Sequence, residues 1–313
     1  MQSKRIEALK HSLDNGRVLL IDGGLATQLE HQGHDLNHPM WSAKLLLEDP
    51  DAIINAHLAY LRAGAQCIIT SSYQASVAGF ETLGLSKEKA IDALKLSVTL
   101  AKKAVDSYVE ESSTASRPFV AASIGPYGAY LADGSEYRGN YGVSDETLYK
   151  FHSQRMSLLA QAGADFFACE TIPSIQEAKV IATLLTENNQ PGWISFSCQN
   201  LSQICEGSLF TDAIVSVENC AEIIAVGINC TAPEYVESLL KRGQQVTRKP
   251  LLVYPNSGEC YHPDSKTWDG NADPQSSATS ALRWVNAGAS IIGGCCRMGP
   301  DHIKAMSEAL KDR

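Results

Sequence analysis

Short apolar runs alternate along this chain with longer segments of helical period. The runs cover residues 18–21, 67–69, 119–122, 166–169, 193–196, 223–228, 251–254 and 291–292. Each is short and rich in β-branched or aromatic residues, and each ends in a polar or glycine-bearing loop, as buried strands do. Between them, apolar positions recur at three- and four-residue spacing over 51–62, 87–108, 145–161, 175–186, 233–241, 276–286 and 300–311. These read as helices, with a weaker one over 211–219. Pro233 and Pro300 suit a first helical turn. Three joints repeat one signature, Ala63-Gly64-Ala65, Ala162-Gly163-Ala164 and Ala287-Gly288-Ala289. A left-handed glycine there ends a helix before the next strand. Eight strand–helix units predict an α/β fold, a single-domain (β/α)8 TIM barrel. An open doubly wound sheet is the runner-up, but Gly23-Gly24-Leu25-Ala26-Thr27 after the first run does not fit its G-x-G-x-x-G fingerprint. The 110–117 and 266–275 stretches read as polar loops. Ile6, Leu9 and Leu13 place a short amphipathic helix on the body.

Composition narrows the class. Hydrophobic residues make up 44% and charged residues 19%, which excludes a disordered chain. The formal charge is −9 and there is no basic stripe, so nucleic acid is not an expected partner. No apolar run is long enough to span a membrane. The first fifteen residues are charged and lack the apolar segment of a secretory signal. With nine cysteines and no such signal, a cytoplasmic protein with reduced thiols is expected.

In such a barrel, chemistry gathers at the C-terminal ends of the strands. Asp22, Thr70 to Tyr73, Gly125-Pro126, Glu170, Asn229-Cys230, Asn256 to Glu259 and Cys295-Cys296 stand there. Adjacent side chains on a strand point to opposite faces, so Cys295 and Cys296 share one ion only if the chain is already turning. Gly293-Gly294 permit that turn. With Cys230, they form a candidate Zn2+ site with one position open. The rival reading is a set of buried structural cysteines, and Cys198 and Cys260 near the same end are alternative ligands. Cys67 and Cys169 read as packed small hydrophobes.

A three-thiolate zinc suits a fourth, soft ligand better than it suits water activation. A substrate thiol would lose its proton there and become a nucleophile. Asp22 and Glu170 can bind an ammonium group or simply orient loops. Gly23 lets backbone amides approach a ligand closely. Tyr127, Tyr130, Tyr137 and Tyr141 on the long third loop can face a cationic ligand or merely pack the loop. Trp41 and Trp268 are similarly ambiguous.

The ordered set Asp22-Gly23-Gly24-Leu25-Ala26-Thr27-Gln28-Leu29-Glu30, Arg62-Ala63-Gly64-Ala65, Cys169-Glu170-Thr171, Gly227-Ile228-Asn229-Cys230, Tyr254-Pro255-Asn256-Ser257-Gly258 and Gly293-Gly294-Cys295-Cys296-Arg297 resembles the zinc-dependent homocysteine S-methyltransferases. The 125–139 loop with Ser265-Lys266-Thr267-Trp268 looks most like the short, stand-alone members that use S-methylmethionine, sometimes S-adenosylmethionine. The resemblance implies one homocysteine-binding barrel over residues 1–313, with zinc on Cys230, Cys295 and Cys296. It places Asp22 and Glu170 on the amino group of homocysteine. Gly23, Ser72 and Tyr127 are carried as further substrate contacts. No protein acid or base is required, because zinc binding removes the thiol proton. Betaine as the donor, or a zinc- or thiol-binding barrel without catalysis, are the competing expectations.

Overall fold

The computed structural model describes residues 2–36, 44–112, 116–262, 267–269 and 273–311. Trp41, Ser265 and Lys266 lie outside them, as does part of each expected polar loop. Eight parallel strands form one sheet: β1 (Leu19–Leu20), β2 (Cys67–Ile69), β3 (Phe119–Ile124), β4 (Phe166–Ile172), β5 (Gly192–Phe196), β6 (Ile223–Asn229), β7 (Leu251–Tyr254) and β10 (Ala289–Ile292). Their order is β1-β10-β7-β6-β5-β4-β3-β2, and a parallel bridge from Ile21 to Cys67 joins the two edges. The sheet is therefore closed, as a (β/α)8 barrel requires. β8 (Cys260–His262) and β9 (Thr267–Asp269) form a small antiparallel hairpin, whose second strand falls in the 266–275 stretch expected to be loop. Three-residue strands are too short to show a period in sequence.

The strands read as unbroken apolar runs because both faces are buried. Leu19, Ile21, Cys67, Ala121, Phe166, Ala168, Trp193, Ala225, Leu252, Tyr254 and Ile291 pack together inside the barrel. The alternate residues, among them Leu20, Ile68, Val120, Phe167, Ile194, Val226, Val253 and Ile292, join the larger cluster under the helices. The N-terminal helix (Gln2–Asp14) adds Ile6, Leu9 and Leu13 to the inner cluster. It is held there by Arg5, which pairs with Asp165 at 2.8 Å and lies over the Phe119 ring. That helix closes the end of the barrel where the strands begin.

Helix boundaries follow the expected periods closely. Asp145–Gln161 matches, and Phe210–Val217 supplies the weak fifth helix. The segment at 233–241 splits into a 3-10 turn (Pro233–Tyr235) and a helix (Val236–Gly243). At the three repeated joints Gly64, Gly163 and Gly288 have φ of 107°, 85° and 95°, the left-handed conformation that closes a helix without a Cβ clash. No described helix is long and apolar enough to cross a membrane.

Candidate active site

The C-terminal mouth of the barrel holds a cavity of about 800 Å3 including its opening. Its walls come from the ends of β1, β2, β4, β6, β7 and β10 and from the loop after β3. Cys230, Cys295, Cys296, Glu170, Tyr73, Tyr137 and Tyr254 line it.

The Cys230 sulfur lies 2.9 Å from that of Cys295 and 3.7 Å from that of Cys296, and all three sulfurs lie within 4.8 Å of one another. No fourth His, Cys, Asp or Glu joins this group among the described residues. Cys198 therefore stands apart from the thiol set, and the side chain of Cys260, the other alternative ligand, lies outside what the structure describes. Cys67, Cys169 and Cys198 are buried.

Two backbone devices gather the sulfurs. Cys230, at the end of β6, has φ of 46°, so its side chain leaves the strand alternation. After β10 the chain is anchored by Gly293 N–H to Val253, Gly294 N–H to Asp22 and Cys295 N–H to Pro255, at 3.1, 3.0 and 2.8 Å. Gly293 and Gly294 do not have positive φ; a Cβ on Gly293 would meet Ile21 at 2.3 Å and one on Gly294 would meet Met298 at 2.5 Å. Their role is close approach. The left-handed residue of this turn is Arg297, with φ of 67°, and it is fixed by its N–H to Thr27 and by a 2.9 Å pair with Glu259.

Below the sulfurs runs a buried polar chain. Asn229 accepts from the Thr171 amide at 2.6 Å and donates to the Thr171 hydroxyl at 2.8 Å. Its Nδ2 also points at the Cys295 sulfur, 4.0 Å away. Ser195 donates to Asn229, and Tyr254 and Trp193 continue the chain inward. Thr171 itself has φ of 60°, at a register shift between β4 and β5. This bulge explains why β4 runs on through Glu170, which the sequence pattern places after the strand's end. Bulges of this kind re-aim a side chain.

Glu170 accepts a short hydrogen bond from Ser123. Burial pushes its pKa up to about 7, against the pull of that hydroxyl, while the nearby Cys230 charge adds to the rise. Asp22 does not wall the cavity; it is buried directly behind Gly23 and Ile69. One carboxylate oxygen accepts from the Ile69 amide at 2.8 Å, and the other has no hydrogen-bond partner. Burial holds the Asp22 carboxyl well above its usual range, the Ile69 amide opposes this, and the Glu170 charge adds to it. Donation from the Cys295 and Cys296 thiols draws the Cys230 thiol well down, and the same contacts push Cys295 and Cys296 up. Among the described residues, no Lys or Arg lines the cavity. Three thiols this close cannot all ionise without a cation among them. The donor set therefore fits a soft dication such as zinc.

Ser72 and Tyr127 are not in the cavity wall. The Ser72 hydroxyl is taken up by Thr70 and by the Ser123 carbonyl. Tyr127 packs its ring against Tyr130, Tyr141 and Phe151, and its amide donates to Glu177. On these loops the wall is formed by Thr70, Ser71, Tyr73, Gln74 and Tyr137 instead. The Tyr137 hydroxyl lies 3.7 Å from the Cys230 sulfur. Gly23 does line the cavity, and a Cβ there would strike the Met298 carbonyl at 2.2 Å.

The profile of the homocysteine S-methyltransferases matches residues 19–310, nearly the whole barrel. The chain belongs to the homocysteine S-methyltransferase family. Among its homocysteine S-methyltransferase relatives is YbgG of Bacillus subtilis, 46% identical over 96% of each chain. A selenocysteine Se-methyltransferase from Brassica oleracea is 45% identical over 96% of this chain and 91% of its own length. The metallated form of the homocysteine methyltransferase MmuM from Escherichia coli superposes with a TM-score of 0.85 at 42% identity, covering 93% of this chain and 96% of the other. In this homocysteine S-methyltransferase, the thiol cluster that could hold a metal ion thus sits at the mouth where the fold puts its chemistry.

Proposed function

We propose that this enzyme moves a methyl group from a sulfonium donor, S-methylmethionine or secondarily S-adenosylmethionine, to the thiolate of homocysteine, with Zn2+ on Cys230, Cys295 and Cys296. The observation that carries the reading is the three-sulfur set, open to a cavity that also presents Glu170. Bound zinc would supply the positive charge that lets an incoming thiol lose its proton and stay a thiolate. The chain does the rest. Glu170, with Asp22 behind Gly23, holds the amino group of homocysteine. The pairing also favours ionised Glu170 over its neutral acid. Tyr73 and Tyr137 flank the thiols and offer ring faces to a cationic donor.

Transfer forms one carbon–sulfur bond as another breaks. A sulfonium and a thiolate become two neutral thioethers, so charge is lost in the step, and a cavity that sheds water favours it. With S-methylmethionine both products are methionine. Alignment of the two reactants contributes on the order of 7 kcal/mol or more. Residues 1–313 act as one catalytic domain in this proposal. A reducing, cytoplasmic setting keeps the thiols free.

Purified zinc-loaded enzyme given homocysteine and each donor in turn should form methionine fastest with S-methylmethionine, more slowly with S-adenosylmethionine, and not with betaine. Selenocysteine belongs in the assay as a second acceptor because of the Brassica relative. Faster turnover with betaine, or none with any donor, overturns the reading. Cys230→Ser, Cys295→Ser and Cys296→Ser should each lose most bound zinc by metal analysis and most activity.

A further inference from the structure

Arg155 is almost completely buried, 1% exposed, yet lies in the long helix outside the barrel, away from the thiols. Its guanidinium donates to four main-chain carbonyls. Nε reaches Ala75 at 2.9 Å, Nη1 reaches Gly125 at 3.0 Å, and Nη2 reaches Ser72 at 3.0 Å and Tyr73 at 2.8 Å. Three of these carbonyls belong to the loop after β2 and one to the loop after β3. Phe151, one turn earlier on the same helix, covers the guanidinium face at 4.9 Å. One planar cation thus ties two strand-end loops together.

The loops meet at a single tight point. A Cβ on Gly125 would strike the Tyr73 carbonyl at 2.4 Å and the Tyr73 ring at 2.8 Å. The Tyr73 ring therefore lies against bare Gly125 backbone, with its carbonyl held by Arg155. Tyr73 and Gln74, inside the clamped stretch, both line the cavity. A buried charge with no carboxylate bonded to it carries a desolvation cost that apolar residues would avoid. Here burial lowers the guanidinium pKa to about 10. Four carbonyls arranged around one fork repay that cost only if the loop geometry is itself required. A lysine ammonium has three donors and no planar fork, so it cannot replace all four bonds.

We infer that Arg155 is a positioning residue that acts through Tyr73, holding the aromatic wall beside the thiol cluster in the geometry that receives the methyl donor. The donor is singled out because Tyr73 brings an aromatic ring and no charge to the wall, which suits a sulfonium, whereas the homocysteine ammonium is taken by Glu170. The inference rests on the sulfonium reading above.

The test is a double-mutant cycle of Arg155→Lys with Tyr73→Ala. It measures KM for S-methylmethionine and for homocysteine separately, along with bound zinc. Arg155→Lys alone should raise the donor KM by about 10-fold or more, while homocysteine KM and zinc content stay within about 2-fold. In the Tyr73→Ala background the same change should have almost no further effect on donor KM. Equal losses for both substrates, or an undiminished Arg155→Lys effect in the Tyr73→Ala background, would overturn the inference. If Arg155→Lys does not fold, Gly125→Ala replaces it in the cycle, since its Cβ would push the Tyr73 carbonyl and ring out of the position the clamp holds, and the same outcomes decide. If the parent enzyme shows no transfer from any donor, the functional reading fails first. A parent that turns over beside unaltered Arg155 variants sinks the positioning role alone.

Discussion

Glu170 shows how one residue's surroundings set its chemistry. In water it would be ionised well below neutrality; in the barrel mouth its pKa is about 7. An ammonium group binds the ionised form, so below pH 7 binding must first remove a proton. We expect kcat/KM for homocysteine to fall tenfold per pH unit below about 7 through this group, and to lose one proton of slope in Glu170→Gln. Glu170→Gln should also lower kcat/KM by roughly 30-fold or more at pH 8, about 2 kcal/mol, the lower end for truncating a buried charge pair. A pH–rate profile of the two proteins checks both. The residue was legible in sequence as a strand-end carboxylate. Its aim was not, because that depends on the left-handed Thr171 beside it and on Asn229, which holds Thr171 from another strand.

Among the elements, the turn after β10 differs most from its sequence reading. Gly293-Gly294 read in the sequence as the residues that permit a turn by backbone freedom, and the structure makes them a packing surface instead. Ile21 and the Asp22 carbonyl press on Gly293, and Met298 presses on Gly294. Gly293→Ala should therefore destabilise the fold by roughly 1–3 kcal/mol, as overpacking does, and reduce zinc retention by shifting Cys295. Thermal melting with metal analysis reads both effects; an unchanged melting temperature would mean that the turn has slack. The loop after β3 carries a similar lesson. Four tyrosines looked equivalent there, but Tyr127 and Tyr130 pack with Phe151 and Tyr141 packs on Tyr127, while Tyr137 alone of the four reaches the thiols. Spacing along a loop has no fixed period, so nothing in the sequence could separate them.

At the scale of the molecule, pH acts through buried groups as well as through the site. His57 is fully buried in the helix Pro50–Arg62 and neither ring nitrogen has a hydrogen-bond partner. Burial lowers its pKa to about 4. Its unfolded value is near 6.5, so the unfolded chain binds more protons between those limits and stability falls as pH drops through that window. The His57 share is about 2 kcal/mol between pH 7 and pH 5. Glu170 works in the opposite direction, because its raised pKa lets the folded protein hold an extra proton there. Comparison of the parent with His57→Leu isolates the histidine: between pH 7 and pH 5 the variant should gain about 2 kcal/mol of stability relative to the parent, read from the denaturant midpoints of the two proteins. Sequence alone determined the eight-fold alternation, the left-handed Ala-Gly-Ala joints, the barrel class and the three thiols, because periodicity, glycine joints and strand-end cysteines are written locally. The closed mouth, the bulge that aims Glu170, the concealment of Ser72 and Tyr127, and the Arg155 clamp were decided only by tertiary structure. Each depends on which strand lies beside which, and on side chains that meet across scores of residues.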